Sequence, residues 1–374
     1  MTKNKNQNDH KDQKDIKYTS GYFAYARTCF GFTDYFKTIF EYYNVEKIYK
    51  IKNCDNKYFL NEIFENASEK YNAECFLCPS DLSRFDCIII KELKTAVISE
   101  NADINFSAEK YPAIIENIID FGNFYDETKL SKHKKEILEL ISKKEESDVL
   151  THKFLKSANE ISESTIKLSG KYINHEKIDL SVERLANKHV NEKSLQKIFK
   201  KNPSDEYRFI NYISSAGIGE SDIFEKEAKK IFYIFSENFL GWYYTKKIIE
   251  KFLHLNKVIC PDALNPDRIN AVYLKDLKIL FVIKDKIPDK IYDDKYSFIN
   301  MERFVSADFK KENKQKLRFT QKCYKSIIDE IIKYFIELDK INKEIEDIYA
   351  SSVNPAKIKE KNKYTEAVIK KILP

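Results

Sequence analysis

The sequence LSRFDCIIIKELKTAVI, residues Leu82–Ile98, occurs twice in this chain of 374 residues. The second version reads PDRINAVYLKDLKILFV and covers Pro266–Val282. Most of the paired positions are apolar in both versions. Four residues are identical at a constant distance of 184 positions: Arg84, Lys91, Leu93 and Lys94 recur as Arg268, Lys275, Leu277 and Lys278. A match of this length indicates an internal duplication.

Two further blocks precede each version in the same order. The dipeptide Cys78-Pro79 returns as Cys260-Pro261, and KIYKI at Lys47–Ile51 returns as KIFYI at Lys230–Ile234. Three blocks in one order at nearly constant spacing predict two copies of one folding unit. We expect three parts in the chain: a disordered N-terminal segment over 1–20, a first domain over 21–203 and a second domain over 204–374.

Composition limits the classes of function. The hydrophobic fraction of 43% is typical of a globular protein. The 65 basic and 59 acidic residues are interspersed, so the net charge of +6 predicts a solvated surface and argues against nucleic acid as a partner. No apolar run reaches the roughly 18–20 residues of a membrane-spanning helix, and Met1–Lys17 lacks the apolar core of a signal peptide. The sequence therefore predicts a cytoplasmic protein without membrane contact.

The first copy has the order strand, helix, strand, strand. Apolar runs predict strands at Val45–Lys52, Ala73–Cys78, Asp86–Ile90 and Thr95–Ser99, with a helix over Tyr58–Tyr71. Strands that are apolar throughout predict a sheet buried on both faces. The second copy repeats this order. The predicted fold class is therefore α/β, with two three-layer αβα units that are each followed by a long helical hairpin.

Capping residues predict where helices begin. Thr33 is the predicted N-cap of a helix that turns Phe36, Ile39 and Phe40 inward. From Ala113 the pattern turns helical, and Asp126 is the predicted N-cap of a further helix. Three more helices are predicted at Ser181–Lys200, Leu317–Tyr349 and Lys357–Leu373.

The turn between the first strand and the first helix of each copy is where a phosphate-binding loop, G-x-x-x-x-G-K-[ST], would lie. In the first copy Lys57 occupies the lysine position, but Asn56 precedes it and Tyr58 follows it, and the loop contains no glycine. The second copy keeps Gly241, whereas Trp242 and Tyr243 occupy the lysine and hydroxyl positions. From these residues alone, neither loop is predicted to bind phosphate.

The chain nevertheless resembles a family of tandem P-loop ATPase-like proteins of spore-forming Firmicutes. Each family domain has a Walker A loop, a segment with Cys and Asp, and a PEL-type turn before a strand. CPSDLSRFDCIIIKELKTAVIS and CPDALNPDRINAVYLKDLKILFVI are similar to that signature. KYPAIIENIIDFGNFYDETKL, Lys110–Leu130, is similar to a family segment almost position for position. The resemblance runs from Gly21 to the C-terminus, implies a P-loop NTPase-like, Rossmann-like fold for each copy, and makes sporulation one candidate process.

The resemblance also implies the positions of the sites. In the family, catalysis uses the two Walker A loops and an acid that ends a following strand. The first loop corresponds to Asn53, Asp55, Asn56, Lys57 and Tyr58, and the second to Gly241, Trp242 and Tyr243. The strand-end acid position falls at Ser99, so the neighbouring Glu100 is a weak catalytic candidate, and in the second copy it falls near Asp285.

The departures from the family pattern affect the residues that phosphoryl transfer requires. A tyrosine at the hydroxyl position does not place a compact oxygen beside Mg²⁺, and the missing glycines add Cβ atoms where phosphates would approach. We expect a pseudo-ATPase that binds ATP and Mg²⁺ weakly at most and acts as an interaction or regulatory module. The alternative is an active ATPase that uses Lys57 in an atypical loop.

Cysteines suggest a third interpretation, a metal or redox protein. Cys75 and Cys78 form a C-x-x-C motif, but no second pair and no histidine partner follows at a zinc-binding spacing. We therefore expect these cysteines to lie in the core, and we predict no metal site.

Two features remain open between alternatives. Arg84 and Arg268 each precede a core strand, either as structural salt bridges, with Asp86 or Asp267, or as arginine fingers that face the neighbouring domain's phosphate site. The helix Leu317–Tyr349 is longer than one small sheet can cover. It docks either on the helices of the first domain or on a partner chain, which includes a second copy of this protein.

Overall fold

The computed structural model describes residues 21–99, 115–189, 205–285 and 293–374. The described chain is a mixture of helices and sheets, which confirms the α/β character. The strands are β1 (Tyr25–Thr28), β2 (Gly31–Asp34), β3 (Lys47–Lys52), β4 (Ala73–Leu77), β5 (Phe85–Ile90), β6 (Thr95–Ser99), β7 (Glu116–Asp120), β8 (Asp205–Tyr207), β9 (Asn211–Ser214), β10 (Gly217–Glu220), β11 (Lys230–Phe235), β12 (Lys257–Pro261), β13 (Ile269–Leu274), β14 (Ile279–Lys284) and β15 (Tyr296–Asn300). The α-helices are α1 (Phe36–Tyr42), α2 (Phe59–Ser68), α3 (Glu127–Lys132), α4 (Lys134–Gly170), α5 (His175–His189), α6 (Ile223–Glu227), α7 (Gly241–Lys251), α8 (Ala307–Ser351) and α9 (Ile358–Ile372).

The first half forms a five-stranded sheet in the order β4-β5-β6-β3-β7. β3 is parallel to both of its neighbours, β6 and β7, whereas β4, β5 and β6 form an antiparallel meander. From β3 the chain passes through α2 to the far edge of the sheet, and from β6 it crosses to β7 on the other side. The carboxyl end of β3 is therefore a topological switch point, where α/β sheets place ligands.

The second half repeats this plan. Its sheet has the order β15-β11-β14-β13-β12-β8, so β11 corresponds to β3 and lies between two parallel neighbours. A small hairpin precedes each sheet, β1-β2 in the first half and β9-β10 in the second. The hairpin turns place Gly31 and Gly217 at φ values of +103° and +101°, which glycine adopts without strain. The structure thus agrees with the duplication read from the sequence.

The strand predictions are confirmed to within a few residues, but three other predictions are wrong. Thr33 lies in β2 and caps no helix, because α1 begins at Phe36 after the hairpin. The helical pattern predicted from Ala113 fails over Glu116–Asp120, which forms β7. β7 is an edge strand with Ile118 exposed, so its sequence lacks the fully apolar pattern of the central strands. The hairpins themselves carry no apolar run that would have identified them.

The long helices do not form a hairpin within each half, which corrects the third prediction. α4 and α8 instead pack antiparallel along each other across the two halves, with Leu155 and Ala158 against Ile328 and Ile331. Leu140 contacts the far end of α8 at Ile348. The apolar side of α8 is too long for one sheet, and α4 is the element that covers it. Of the two docking alternatives for this helix, the structure therefore shows the one within the chain.

Each half also donates its last helix to the other half. α9, at the C-terminus, buries Val368 and Ile372 in the core of the first half, beside Phe121 and Phe124. α5, which follows α4, buries its apolar side in the core of the second half. The predicted helix Ser181–Lys200 corresponds to the end of α5, and its residues beyond 189 lie outside the described part of the chain.

Paired backbone hydrogen bonds hold these exchanged segments. The Asn174 amide donates to the Phe304 carbonyl at 2.8 Å, and the Ser306 amide donates to the Tyr172 carbonyl at 3.2 Å. The equivalent bonds join Asp126 to Ser352 and Asn354 to Phe124, at 2.8 and 2.9 Å. Each long helix is therefore fastened at its end to the segment that precedes the other long helix.

The inner faces of the two sheets share one hydrophobic core. Phe76 and Ile89 of the first sheet belong to the same buried cluster as Val258 and Leu280 of the second. Reciprocal backbone hydrogen bonds between Phe23 and Phe209, both at 2.9 Å, cross the same interface. Within the described residues, no helix combines the length and apolarity that crossing a membrane requires.

Candidate functional site

The first loop, Asn53–Tyr58, joins the carboxyl end of β3 to α2 at the switch point. Two amides at the start of this helix are already used. The Tyr58 amide donates to Asn56 Oδ1 at 3.1 Å, and the Phe59 amide donates to the Asn56 carbonyl at 3.0 Å. A phosphate at a helix N-terminus binds through such amides. Asn56 therefore occupies, as a capping residue, the position that a phosphate oxygen would take.

Lys57 points toward an acid of its own chain. Its Nζ lies 3.2 Å from Asp81 Oδ2 and 4.8 Å from the centre of the Tyr58 ring. Burial would lower the pKa of Lys57, but the hydrogen bonds to Tyr58 and Asp81 outweigh burial and raise it. The lysine thus stays charged and already has a counter-ion, the carboxylate of the CPSD segment.

The remaining residues of the first loop also have internal partners. Asn53 has a φ of +52° and donates from Nδ2 to Asp120 Oδ1 at 2.8 Å, at the end of β7. Asp55 forms an ion pair with Lys361 of α9. Because α9 comes from the opposite end of the chain, the loop is closed by a helix that follows the second half.

The second loop follows β11 and leads into α7. The Ser236 hydroxyl accepts hydrogen bonds from the Leu240 and Gly241 amides at 2.8 and 3.0 Å. A Cβ at Gly241 would lie 2.8 Å from Ile283, so this glycine is needed for close packing of helix on strand. The serine oxygen therefore takes the amides that a bound phosphate would use.

Aromatic side chains fill the lysine and hydroxyl positions of the second loop. Trp242 stacks on Tyr243 with ring centres 4.2 Å apart, and Tyr243 meets His175 of α5 edge-on at 5.4 Å. The Tyr243 hydroxyl also lies against Gly170, the last residue of α4. The helices exchanged from the first half thus cover this position.

The two repeated arginines contact the long helices. Arg84 Nε lies 3.3 Å from Asp86, which agrees with the predicted salt bridge, and its guanidinium also approaches Glu346 of α8 at 3.7 Å. Arg268 pairs with Glu163 of α4 at 2.6 Å rather than with Asp267, so that choice of partner was wrong. Arg84 and Arg268 thus each reach the long helix of the opposite half with one guanidinium nitrogen, as structural ties.

Sequence reasoning missed an ion network between the two halves. Arg208 is 1% exposed and pairs with Glu74 at 2.7 Å and with Glu206. Lys91 approaches Glu74 at 3.3 Å, and Lys275 pairs with Glu206. These five residues form an alternating row of charges, which we call the central ion network. Its two ends are lysines of the repeated stretch, Lys91 and Lys275.

The network borders a cavity of about 310 Å³ between the halves, which is also lined by aromatic rings and one further carboxylate: Tyr22, Tyr42, Tyr43, Phe224, Tyr273 and Glu227. Arg208 lies over the Tyr22 ring at 3.8 Å, in a cation–π contact. Burial alone would raise the pKa of Glu74, but Arg208 and Lys91 outweigh burial and lower it to about 2. The recurrence of the lysines was visible in the sequence, whereas nothing in the sequence marked Arg208.

The described residues contain no cluster of three His, Cys, Asp or Glu side chains arranged to hold a metal. Cys75 and Cys78 are buried, and burial raises the pKa of each thiol to about 12. Cys78 Sγ accepts a hydrogen bond from Arg84 at 2.9 Å. Both thiols are therefore core groups that stay protonated at neutral pH. The catalytic candidate Glu100 lies outside the described residues.

Comparison of the chain with protein families, with curated proteins and with solved structures gives no match in any of the three. The resemblance to tandem P-loop ATPase-like proteins therefore rests on the sequence segments quoted above.

Proposed function

We propose that this chain is a degenerate P-loop ATPase-like protein that has lost turnover and acts as an interaction or regulatory module. One observation carries the proposal: in both loops, amides at the start of the following helix are bound by groups of the protein itself. Asn56 caps the first loop and Ser236 caps the second. A phosphate would have to displace these groups before it gained any contact.

The charges support the same conclusion. In phosphoryl transfer a lysine and Mg²⁺ neutralise the charge that develops on the phosphates. Lys57 is paired with Asp81, and Trp242 stands at the equivalent position of the second loop. Neither loop therefore combines a free cation with free amides. The protein retains the position of the site without the groups that perform the chemistry.

We expect titration with Mg-ATP to give no saturable heat up to about 1 mM nucleotide. Calorimetry measures nucleotide binding at either loop, and Trp242 fluorescence reports on the second loop, since Trp242 is the single tryptophan of the chain. The emission spectrum should not change with nucleotide. The native emission of Trp242 before titration serves as the control for folding.

The alternative, an ATPase that uses Lys57, makes the opposite prediction. Saturable heat near one equivalent that disappears in Lys57→Ala would overturn the proposal. An Asp81→Asn variant sharpens the test, because it removes the counter-ion and leaves Lys57 in place. If Lys57 retains phosphate affinity, Asp81→Asn should bind Mg-ATP more tightly than the native protein. If the caps exclude phosphate, neither variant should bind.

A further inference from the structure

The N-terminal part of α8 concentrates the positive charge of the protein. Over residues 307–325 the chain has seven Lys or Arg and two Asp or Glu, so this short segment accounts for most of the net charge of +6. Six of these cations are exposed, and five of the six recur every three or four residues. They define what we call the basic stripe: Lys311, Lys314, Arg318, Lys322 and Lys325.

Helix geometry places these five residues on one face. At 3.6 residues per turn and 1.5 Å per residue, the stripe is about 21 Å long and nearly parallel to the helix axis. Phe309, which α8 buries against the rest of the protein, lies on the opposite side of the helix, whereas the buried Leu317 and Ile328 lie about a quarter turn from the centre of the stripe. All five side chains of the basic stripe are nevertheless exposed.

The stripe cations also lack counter-ions. Among the described residues, none of the five forms an ion pair. Farther along the same helix, lysines are neutralised by neighbouring acids: Lys333 lies 2.7 Å from Glu330 and Lys340 lies 4.0 Å from Glu344. The five cations of the basic stripe have no such ion pair within the described part of the chain. A row of unpaired cations is complementary to a regular row of anions.

An exposed aromatic ring lies beside the stripe. Phe319 follows Arg318 directly and is 68% exposed, although large apolar side chains are normally covered. It is the single exposed large hydrophobic residue between 307 and 325. Single-stranded nucleic acids bind to surfaces of this composition, in which cations follow the phosphates and an aromatic ring stacks on a base.

We propose that the basic stripe and Phe319 form a docking surface for single-stranded nucleic acid, bound through its phosphates and one stacked base. The interspersed charges of the sequence argued against such a partner, but the helix separates them and collects cations on one face. An anionic membrane fits less well, because an interfacial helix inserts a broad apolar face, and the apolar face of α8 is used by the protein. None of the stripe residues belongs to either loop, although Gln321 of the same helix donates to the Glu237 carbonyl of the second loop at 3.0 Å. The proposed nucleic-acid surface does not depend on the proposed loss of ATPase activity.

The test is fluorescence anisotropy of the full chain with a labelled oligonucleotide of about 20 nucleotides, between about 50 and 200 mM salt. The slope of log affinity against log salt should reach about −3.5 if all five cations engage phosphates. The triple variant Lys314→Ala, Arg318→Ala, Lys322→Ala should lose about 2 from the magnitude of this slope. Phe319→Ala should weaken binding by about tenfold without changing the slope.

The matched control is Lys333→Ala with Lys340→Ala, which removes exposed but paired cations from the same helix and should change neither quantity. Circular dichroism verifies that each variant is folded. The proposal is overturned by three outcomes: no binding at about 100 µM protein in low salt, binding that the triple variant retains, or binding that Phe319→Ala leaves unchanged. Vesicles of anionic lipid that bind in place of the oligonucleotide also overturn it.

Discussion

Replacing Arg208 with methionine is expected to destabilise the fold by about 3–5 kcal/mol. Arg208 is buried and is the central cation between Glu74 and Glu206, so its loss leaves one partly buried and one buried carboxylate without their main counter-ion. Methionine retains much of the apolar volume, so the effect comes from charge rather than from a cavity. The measurement is the free energy of unfolding in urea, followed by circular dichroism.

The pH dependence of the free energy of unfolding shows whether the loss of stability in Arg208→Met is electrostatic. In the native protein the pKa of Glu74 is lowered from 4.5 to about 2, so its stabilisation is present above pH 4.5 and is lost as the pH falls toward 2. In Arg208→Met the buried carboxylate should instead have a raised pKa, so protonation stabilises the variant as the pH falls. The stability difference between the two proteins should therefore narrow below about pH 5.

A matched arginine provides the control. Arg184 is exposed on α5, and Arg184→Met should change the free energy of unfolding by less than about 0.5 kcal/mol. A stability difference between the native protein and Arg208→Met that stays constant from neutral pH to about pH 3 would contradict the electrostatic explanation. Packing around Tyr22 and Phe76 would then be the dominant contribution of Arg208.

The second large loss of stability is expected from the substitution Ile372→Ala in α9. Ile372 is 2% exposed in the core of the first half, and truncation of a buried isoleucine costs about 2–5 kcal/mol. Ile358→Ala in the same helix is the control, because Ile358 is 46% exposed and should contribute little. The measurement is again the free energy of unfolding.

Amide hydrogen exchange tests whether α5 and α9 pack on the opposite half or on their own half. Ile372→Ala should increase amide exchange in α2 of the first half, about 300 residues away in the chain, rather than in α7. Ile178→Ala in α5 should do the reverse and increase exchange in α7 of the second half. If each substitution loosens the sheet of its own half, the crossed arrangement is wrong.

The sequence predicted the local structure correctly where a single physical requirement determines it. The run Cys87–Ile90 reads as a buried strand because all four side chains are apolar, and all four are fully buried in β5. Asp126 was identified as a helix cap because a carboxylate accepts the first free amides, and it accepts those of Thr128 and Lys129. Local patterns of this kind can be predicted from the sequence alone.

The sequence did not predict which segments contact each other when they are far apart in the chain. The apolar positions of α9 show that the helix buries one side, but not that this side belongs to the first half. Arg208 is one of many basic residues, and its burial depends on Glu74, which is far away in sequence. In the candidate loops the residue types predicted the loss of phosphate binding, whereas the Asn56 and Ser236 caps required coordinates.

The exchange of terminal helices has a consequence for how the protein is made on the ribosome. The chain leaves the ribosome N-terminus first, so the first sheet emerges while the helix that covers its outer side, residues 358–372, is not yet synthesised. The apolar surface around Phe121 and Phe124 stays uncovered until residues 358–372 have been synthesised. Incomplete chains of this kind expose hydrophobic surface and are prone to aggregate. The first half is therefore expected to reach its native state only after residues 358–372 have emerged, and to depend on chaperones until then.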